Sequence, residues 1–257
     1  MNLQEWSDYL EQYNTIEHLD LPESTNKYCV IMEFRVCPRL IQVINNFISI
    51  LGPKGWGLII FHGTKNEEFL KTNLSGKIKH VKYCKLDFEN IDAQMYSNFL
   101  TSEDFWESLS NIGCEHTLIF QIDTVLLRPD IDKFLQYDYI GAPWFNPWRC
   151  FAYGQFTTVK IGNGGLSLRK VRTMLDIIKR HPRNLVETPQ LENEDIYFAY
   201  WFERERGLYH LPSPYIASEF SLETTWHPNP CGMHQPHLDK MPSIEEFKKL
   251  LLTRNTT

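Results

Sequence analysis

Residues 116–127 read HTLIFQIDTVLL. Leu118, Ile119 and Phe120 form a short, unalternating apolar run, and Gln121 and Asp123 follow it. A run of this kind suits a strand covered on both faces, as in a parallel sheet. It predicts a buried strand over 116–123 with Asp123 at its carboxyl end, where open α/β sheets bind their ligands. A carboxylate in that position can hold a hard divalent ion against a diphosphate. It can equally cap a turn with Thr124.

Working back toward the N-terminus, the same pattern recurs. YCVIMEF (28–34) and WGLIIFHG (56–63) read as buried strands, and IKHVKYCKL (78–86) as a third. Between the first two, Pro38 opens a helix whose Leu40, Val43, Ile44, Phe47, Ile48 and Leu51 share one face, and Gly52, Pro53 and Gly55 end it. A polar helix is expected near 65–72, and two aromatic-containing helices near 91–100 and 102–111. This β-α-β-α-β order predicts an α/β fold, a mostly parallel sheet flanked by helices. Residues 1–26 read as a polar, weakly helical extension, and 27–257 as one domain.

Beyond Asp123 the pattern is less regular. Residues 137–156 are crowded with aromatics, Gly and Pro and cannot form a regular helix. IGNGGLSLR (161–169) reads as a loop entering a strand, and 170–181 as a helix with Val171, Met174, Leu175 and Ile178 on one face. The helix over 193–206 is apolar all round and therefore buried. Residues 207–240 read as strand and loop. A last helix is expected from Ser243, with Glu246 placed for a capping box.

The chain carries a net charge of -6, which disfavours general nucleic-acid binding because no positive field gathers phosphates. No apolar run is long enough to span a bilayer. The N-terminal MNLQEWSDYLEQYN is polar and does not resemble a leader. The 6 cysteines are scattered without a CxxC pair, as free thiols are. Together these features predict a cytoplasmic protein, in the host cytoplasm if the chain is viral.

Three further constellations can carry chemistry. Gly162-Asn163-Gly164-Gly165 lets backbone approach a ligand closely, or makes a tight turn. Glu194 and Asp195 open a buried helix, where acids complement the dipole and where one could act as a base on a sugar hydroxyl. His227, Cys231, His234 and His237 have spacings compatible with zinc, although one histidine reaching an active-site ion is an equally simple use.

The ordered set MEFR (32–35), FHGTKN (61–66), FQIDT (120–124), YIGAPW (139–144), GNGGLSLRK (162–170), NEDIYF (193–198) and GMH (232–234) resembles GT-A glycosyltransferases. It is most similar to a glycosyltransferase-like family found in large DNA viruses, fungi and bacteria. The resemblance implies a GT-A-like (Rossmann-like) single domain that takes a nucleoside diphosphate sugar, UDP-sugar favoured, and a glycan or other hydroxyl acceptor. It places Glu33, Arg35, His62 and Gly63 near the nucleotide, and Asn163, Gly164 and Gly165 against the donor sugar. Asp123 matches the last acid of the DxD motif, while Gln121 stands where the first acid belongs. Glu194 and Asp195 match the catalytic acidic motif, with Asp195 as base. Asp123 and His234 would hold Mn²⁺ or Mg²⁺. Trp144, Phe145 and Trp148 would wall the acceptor site. Two other readings stay open: a catalytically silent sugar-nucleotide or glycan-binding scaffold, and a zinc-stabilised interaction module.

Overall fold

A computed structural model describes residues 3–14, 16, 18–144, 162–187 and 192–236. Phe145, Trp148, Cys150, His237 and the helix expected from Ser243 lie outside the described residues.

The main sheet is built from β2 (Lys27–Met32), β3 (Gly57–His62), β5 (Lys82–Lys85), β6 (His116–Phe120), β8 (Tyr139–Gly141) and β9 (Leu166–Lys170). Its spatial order is β5-β3-β2-β6-β9-β8. β5, β3, β2 and β6 are mutually parallel. β9 runs antiparallel to both β6 and β8, so it alone opposes the rest. The short strands β1 (Leu19–Asp20) and β4 (Ile78–Lys79) pair separately. A three-stranded sheet joins β7 (Thr124–Leu126), β10 (Ser221–Leu222) and β11 (Gly232–His234).

Alternation explains the apolar runs. Cys29 and Ile31 of β2, Leu58 and Ile60 of β3, and Leu118 and Phe120 of β6 enter one core cluster. Val30, Ile59, Phe61 and Ile119, their neighbours in sequence, enter the other. Helices cover both faces, so the strand centres are apolar on both sides, with Lys27, His116 and Thr117 at strand starts and His62 at a strand end. Helix α2 (Pro38–Leu51) buries the six apolar side chains of its expected face completely, each worth about 1.5–3 kcal/mol. Phe47 stacks on Phe120 at 4.1 Å. The N-terminal segment also contributes. Helix α1 (Leu3–Glu11) sinks Trp6 and Leu10 into the α2 side of the core.

The structure corrects several element boundaries. The strand expected over 78–86 is broken at His80, whose φ of 61° lies in the left-handed region. Its two halves therefore pair with different sheets. The strand expected over 116–123 ends at Phe120. Gln121 then accepts the backbone N–H (3.2 Å) and hydroxyl (2.6 Å) of Thr124, and this turn carries Asp123. A helix, Pro214–Phe220, stands in what read as strand and loop. Ser213 caps it and Pro214 opens it, both ordinary start signals.

The small sheet is fastened to α2 through Asn46. Its buried amide donates to the Leu126 carbonyl (2.9 Å) and accepts from the Leu126 N–H (2.8 Å). Asn46→Ala would leave the Leu126 N–H buried and unpaired and its carbonyl with only the Tyr9 hydroxyl at 3.4 Å, a loss of about 2 kcal/mol. Urea unfolding should show the midpoint falling with an unchanged slope. A loss below about 1 kcal/mol would mean that water or backbone shift replaces this fastening.

Candidate functional site

The chain runs outward from β2 to β3 and β5, then returns to β6 on the other side of β2. The connections leaving β2 and β6 therefore diverge, opening a crevice at their carboxyl ends. A cleft of about 770 Å³ occupies that position. Glu33, Phe34 and Arg35 leave β2 into it, and Gln121 and Asp123 leave β6. Because β9 is antiparallel, its first residues come to the same end, with Leu166 opposite Phe120. This brings Asn163, Gly164 and Gly165 to the cleft. The β7–β11 pairing sets His234 opposite Thr124, and the Gln235 N–H donates to the Asp123 carbonyl at 2.8 Å.

One polar chain joins these segments. Gly165 N–H donates to Asn163 Oδ1 (3.0 Å), and Asn163 Nδ2 donates to Glu223 Oε2 (2.7 Å). Glu223 Oε1 lies 3.2 Å from His234 Nδ1, and His234 Nε2 lies 3.5 Å from Asp123 Oδ1. A side chain on Gly165 would collide with the imidazole, since a Cβ there would stand 2.2 Å from Nε2. Burial favours a neutral His234, but the two carboxylates outweigh it and push its pKa up to about 9. Burial would likewise raise Asp123. The adjacent His234 charge more than offsets this and holds the carboxyl below its usual range.

This arrangement fits a divalent ion. Asp123 Oδ1 and His234 Nε2 are buried without an aligned hydrogen bond, although they are close enough to attract. Glu223 Oε1, 3.2 Å from Nδ1, stands where a carboxylate commonly orients a metal-binding imidazole, although Nδ1 too lacks an aligned hydrogen bond. Six carboxylates line the cleft (Glu33, Asp92, Asp123, Glu194, Asp195 and Glu223), and its basic side chains among the described residues are Arg35 and His234. A diphosphate entering so acidic a site needs a compensating cation. No complete cage of three or more His, Cys, Asp or Glu side chains forms among the described residues. Asp123 and His234 would hold the ion, with phosphate and water completing its shell.

Opposite lies the start of helix α7 (Glu194–Arg204). (The preceding helix, α6, spans Val171–Arg180.) Asp195 Oδ1 accepts the Ile196 N–H at 2.7 Å, and Oδ2 faces the Gly164 N–H at 3.4 Å. Burial, then the neighbouring Glu194 charge, push the Asp195 pKa up to about 7. Glu194 is itself buried and paired with Arg169 at 2.9 Å. A Cβ on Gly164 would stand 2.1 Å from Glu194 Oε1, so only glycine fits between the two acids.

Glu33 and Arg35 line the cleft bound to each other. Glu33 accepts from Arg35 Nε (2.8 Å) and Nη2 (2.7 Å) and from the Phe34 and Arg35 N–H groups (2.9 Å each). His62 and Gly63 are not among the lining residues. His62 is buried with Nδ1 on the Gly63 carbonyl (3.0 Å), and Gly63 packs beneath the Phe88 carbonyl. Trp144 lines the cleft with its indole laid on Gly162, where a Cβ would stand 2.1 Å from the ring. Among the described residues the zinc constellation forms no cluster. His227 Nδ1 accepts from the Asn229 N–H (3.2 Å), while the Cys231 thiol faces Arg128 Nη2 at 3.3 Å. Sequence reasoning missed Tyr96, Ser97 and Glu223. Tyr96 and Ser97 sit on helix α4 (Ala93–Leu100), behind an Asp92 cap that is visible in the sequence. Glu223 follows β10 and has no signal of its own.

The sheet order, the single reversed strand and the cleft at the switch point define a GT-A-like α/β fold. Mouse xyloside xylosyltransferase 1, solved in its apo form, is similar at a TM-score of 0.50, over 82% of this chain and 97% of that one. The two are 12% identical, so the likeness is one of fold. Residues 79–234, more than half of the chain, match the family described as Protein of unknown function (DUF5672), and the chain belongs to that family. No curated protein matches its sequence. No described helix is long and apolar enough to cross a membrane, and the five described cysteines are free thiols.

Proposed function

We propose that this protein is a glycosyltransferase of the hexosyl-transferring kind. It moves a sugar from a nucleoside diphosphate sugar, UDP-sugar favoured, to a glycan or other hydroxyl acceptor in the cytoplasm. The observation that carries this reading is that one cleft at the switch point is shared by two sets of groups. Asp123 Oδ1 and His234 Nε2 face each other at 3.5 Å without an aligned hydrogen bond, and Asp195, whose pKa is pushed up to about 7, lines the same cleft.

The residues divide the work. Gly164 N–H and Ile196 N–H each engage one oxygen of Asp195, which orients the carboxylate toward the cleft. Asp195 takes the proton from the acceptor hydroxyl. The acceptor oxygen then bonds to the anomeric carbon as the bond to the diphosphate breaks, inverting the configuration. A divalent ion, Mn²⁺ or Mg²⁺, at Asp123 and His234 would supply charge stabilisation for the departing diphosphate. Arg35, held by Glu33, is the fixed cation on the nucleotide side. Trp144 offers a flat apolar face for a sugar ring.

Calorimetric titration of UDP, GDP and dTDP, with and without Mn²⁺, tests the donor side. Binding of at least one nucleotide, strengthened by the ion, is the expected result. Absence of binding by all three under both conditions would remove this reading. The silent-scaffold reading draws on Gln121, which brings no charge to the DxD position. It shares donor binding but lacks transfer.

A further inference from the structure

Among the described residues Arg169 is the largest buried charged side chain, with no exposed surface. It sits on β9 under the cleft floor, its guanidinium carbon 4.9 Å from the Tyr139 ring centre and 5.6 Å from that of Phe198. Nε donates to Ser167 Oγ (2.9 Å) and Nη2 to Glu194 Oε1 (2.9 Å), while Nη1 has no partner. A buried ion pair of this kind contributes little to stability, because desolvating both charges offsets their attraction. Its position suggests another use. Gly164 touches both halves of the acidic pair: its Cα faces Glu194 and Arg169, and its N–H faces Asp195. The Arg169–Glu194 pair is therefore separated from Asp195 by one glycine.

Resting on the glycosyltransferase reading, we propose that Arg169 is a positioning residue that neutralises Glu194 beneath Gly164, so that Asp195 can carry its own negative charge in the cleft. Adjacent carboxylates in a dry site cannot both ionise freely, and one is forced to keep its proton. A guanidinium is always charged and can cancel one of the two permanently. Glu194 then serves as the structural acid, with its N–H on Ser97 Oγ (3.3 Å) and its carboxylate on Arg169. Asp195 remains the acid that titrates. The charged or titratable groups facing it are Glu194 from its own helix, Arg169 from β9 and Tyr139 from β8. Tyr96 from α4 and Arg183 from the segment after α6 face Glu194.

The test reads Asp195 directly, by ¹³C NMR titration of carboxyl-labelled aspartate, with D195N assigning the resonance. E194Q keeps an acceptor for Arg169 and removes the competing charge. Its Asp195 midpoint should fall by about one pH unit or more. R169M/E194Q lacks both charges, leaves no unpaired anion, and should titrate above E194Q by half a unit or more, about half of such a shift. That difference is the direct pull of Arg169 on Asp195, while cancellation of Glu194 is read from wild type and R169M/E194Q, which should titrate within about half a unit of each other. The acid limb of any transfer activity should move with the same midpoints. Equal midpoints in wild type, E194Q and R169M/E194Q would overturn the proposal even if transfer depends on Asp195. Shifted midpoints in a protein that turns over no donor would leave the electrostatic role of Arg169 standing and remove the reading it serves.

Discussion

The Asp195→Asn variant is expected to lose sugar transfer by roughly 10²–10⁴-fold, the usual contribution of a positioned general base, while donor binding is retained. Asparagine keeps the shape and its one oxygen can still accept from the Ile196 N–H, but its amide nitrogen replaces the oxygen that faces Gly164 and it cannot take a proton. In the wild-type protein the base form is half populated near pH 7. Transfer should therefore rise about tenfold per unit as the pH approaches 7 from below, then level off. The same shift bears on stability with the opposite sign. Between 3.8 and about 7 the folded carboxyl holds a proton that the unfolded one has lost. Its stabilising contribution is present below 3.8 and is lost as the pH rises through 7. At pH 8, D195N should unfold at a higher temperature than wild type. If D195N transfers sugar normally, Asp195 is not the base.

The second large effect concerns the ion. Asp123→Ala removes one of the two ligand atoms that face each other across 3.5 Å. It should abolish Mn²⁺ binding measured by calorimetry, together with ion-dependent transfer. Glu223→Gln leaves both ligands in place and weakens their support, for an expected loss of 10–100-fold in affinity. Since His234 titrates near 9, an ion binding below that pH must displace its proton. Affinity should thus increase with pH up to about 9. Ion affinity that is unchanged in Asp123→Ala would move the metal away from this pair.

The fold was legible where burial is two-sided. The centres of β2, β3 and β6 have to be apolar because helices cover both faces, and α2 betrays itself by a six-residue stripe. The break at His80 was invisible because a positive φ on a histidine leaves no apolar signature. In the site, the motifs around Asp123, Asn163, Asp195 and His234 were readable one by one, but what joins them was not. Glu223 connects Asn163 to His234 only after β11 pairs with β7. Arg169 carries no signal of its own in the sequence, yet it is the most buried cation among the described residues, because two aromatic rings and Glu194 enclose it. Gly164 and Gly165 read as a close backbone approach to a ligand or as a tight turn. Their use is to leave room, one for a carboxylate and the other for an imidazole.

The decisive measurement is a mass-spectrometric assay for sugar transfer from a panel of UDP-, GDP- and dTDP-sugars to mixed glycan acceptors, with Mn²⁺, in wild type and D195N. The expected result is a glycosylated product from at least one donor in wild type and loss of that product in D195N. No product from any donor, or equal product from both proteins, would contradict a glycosyltransferase site centred on Asp195.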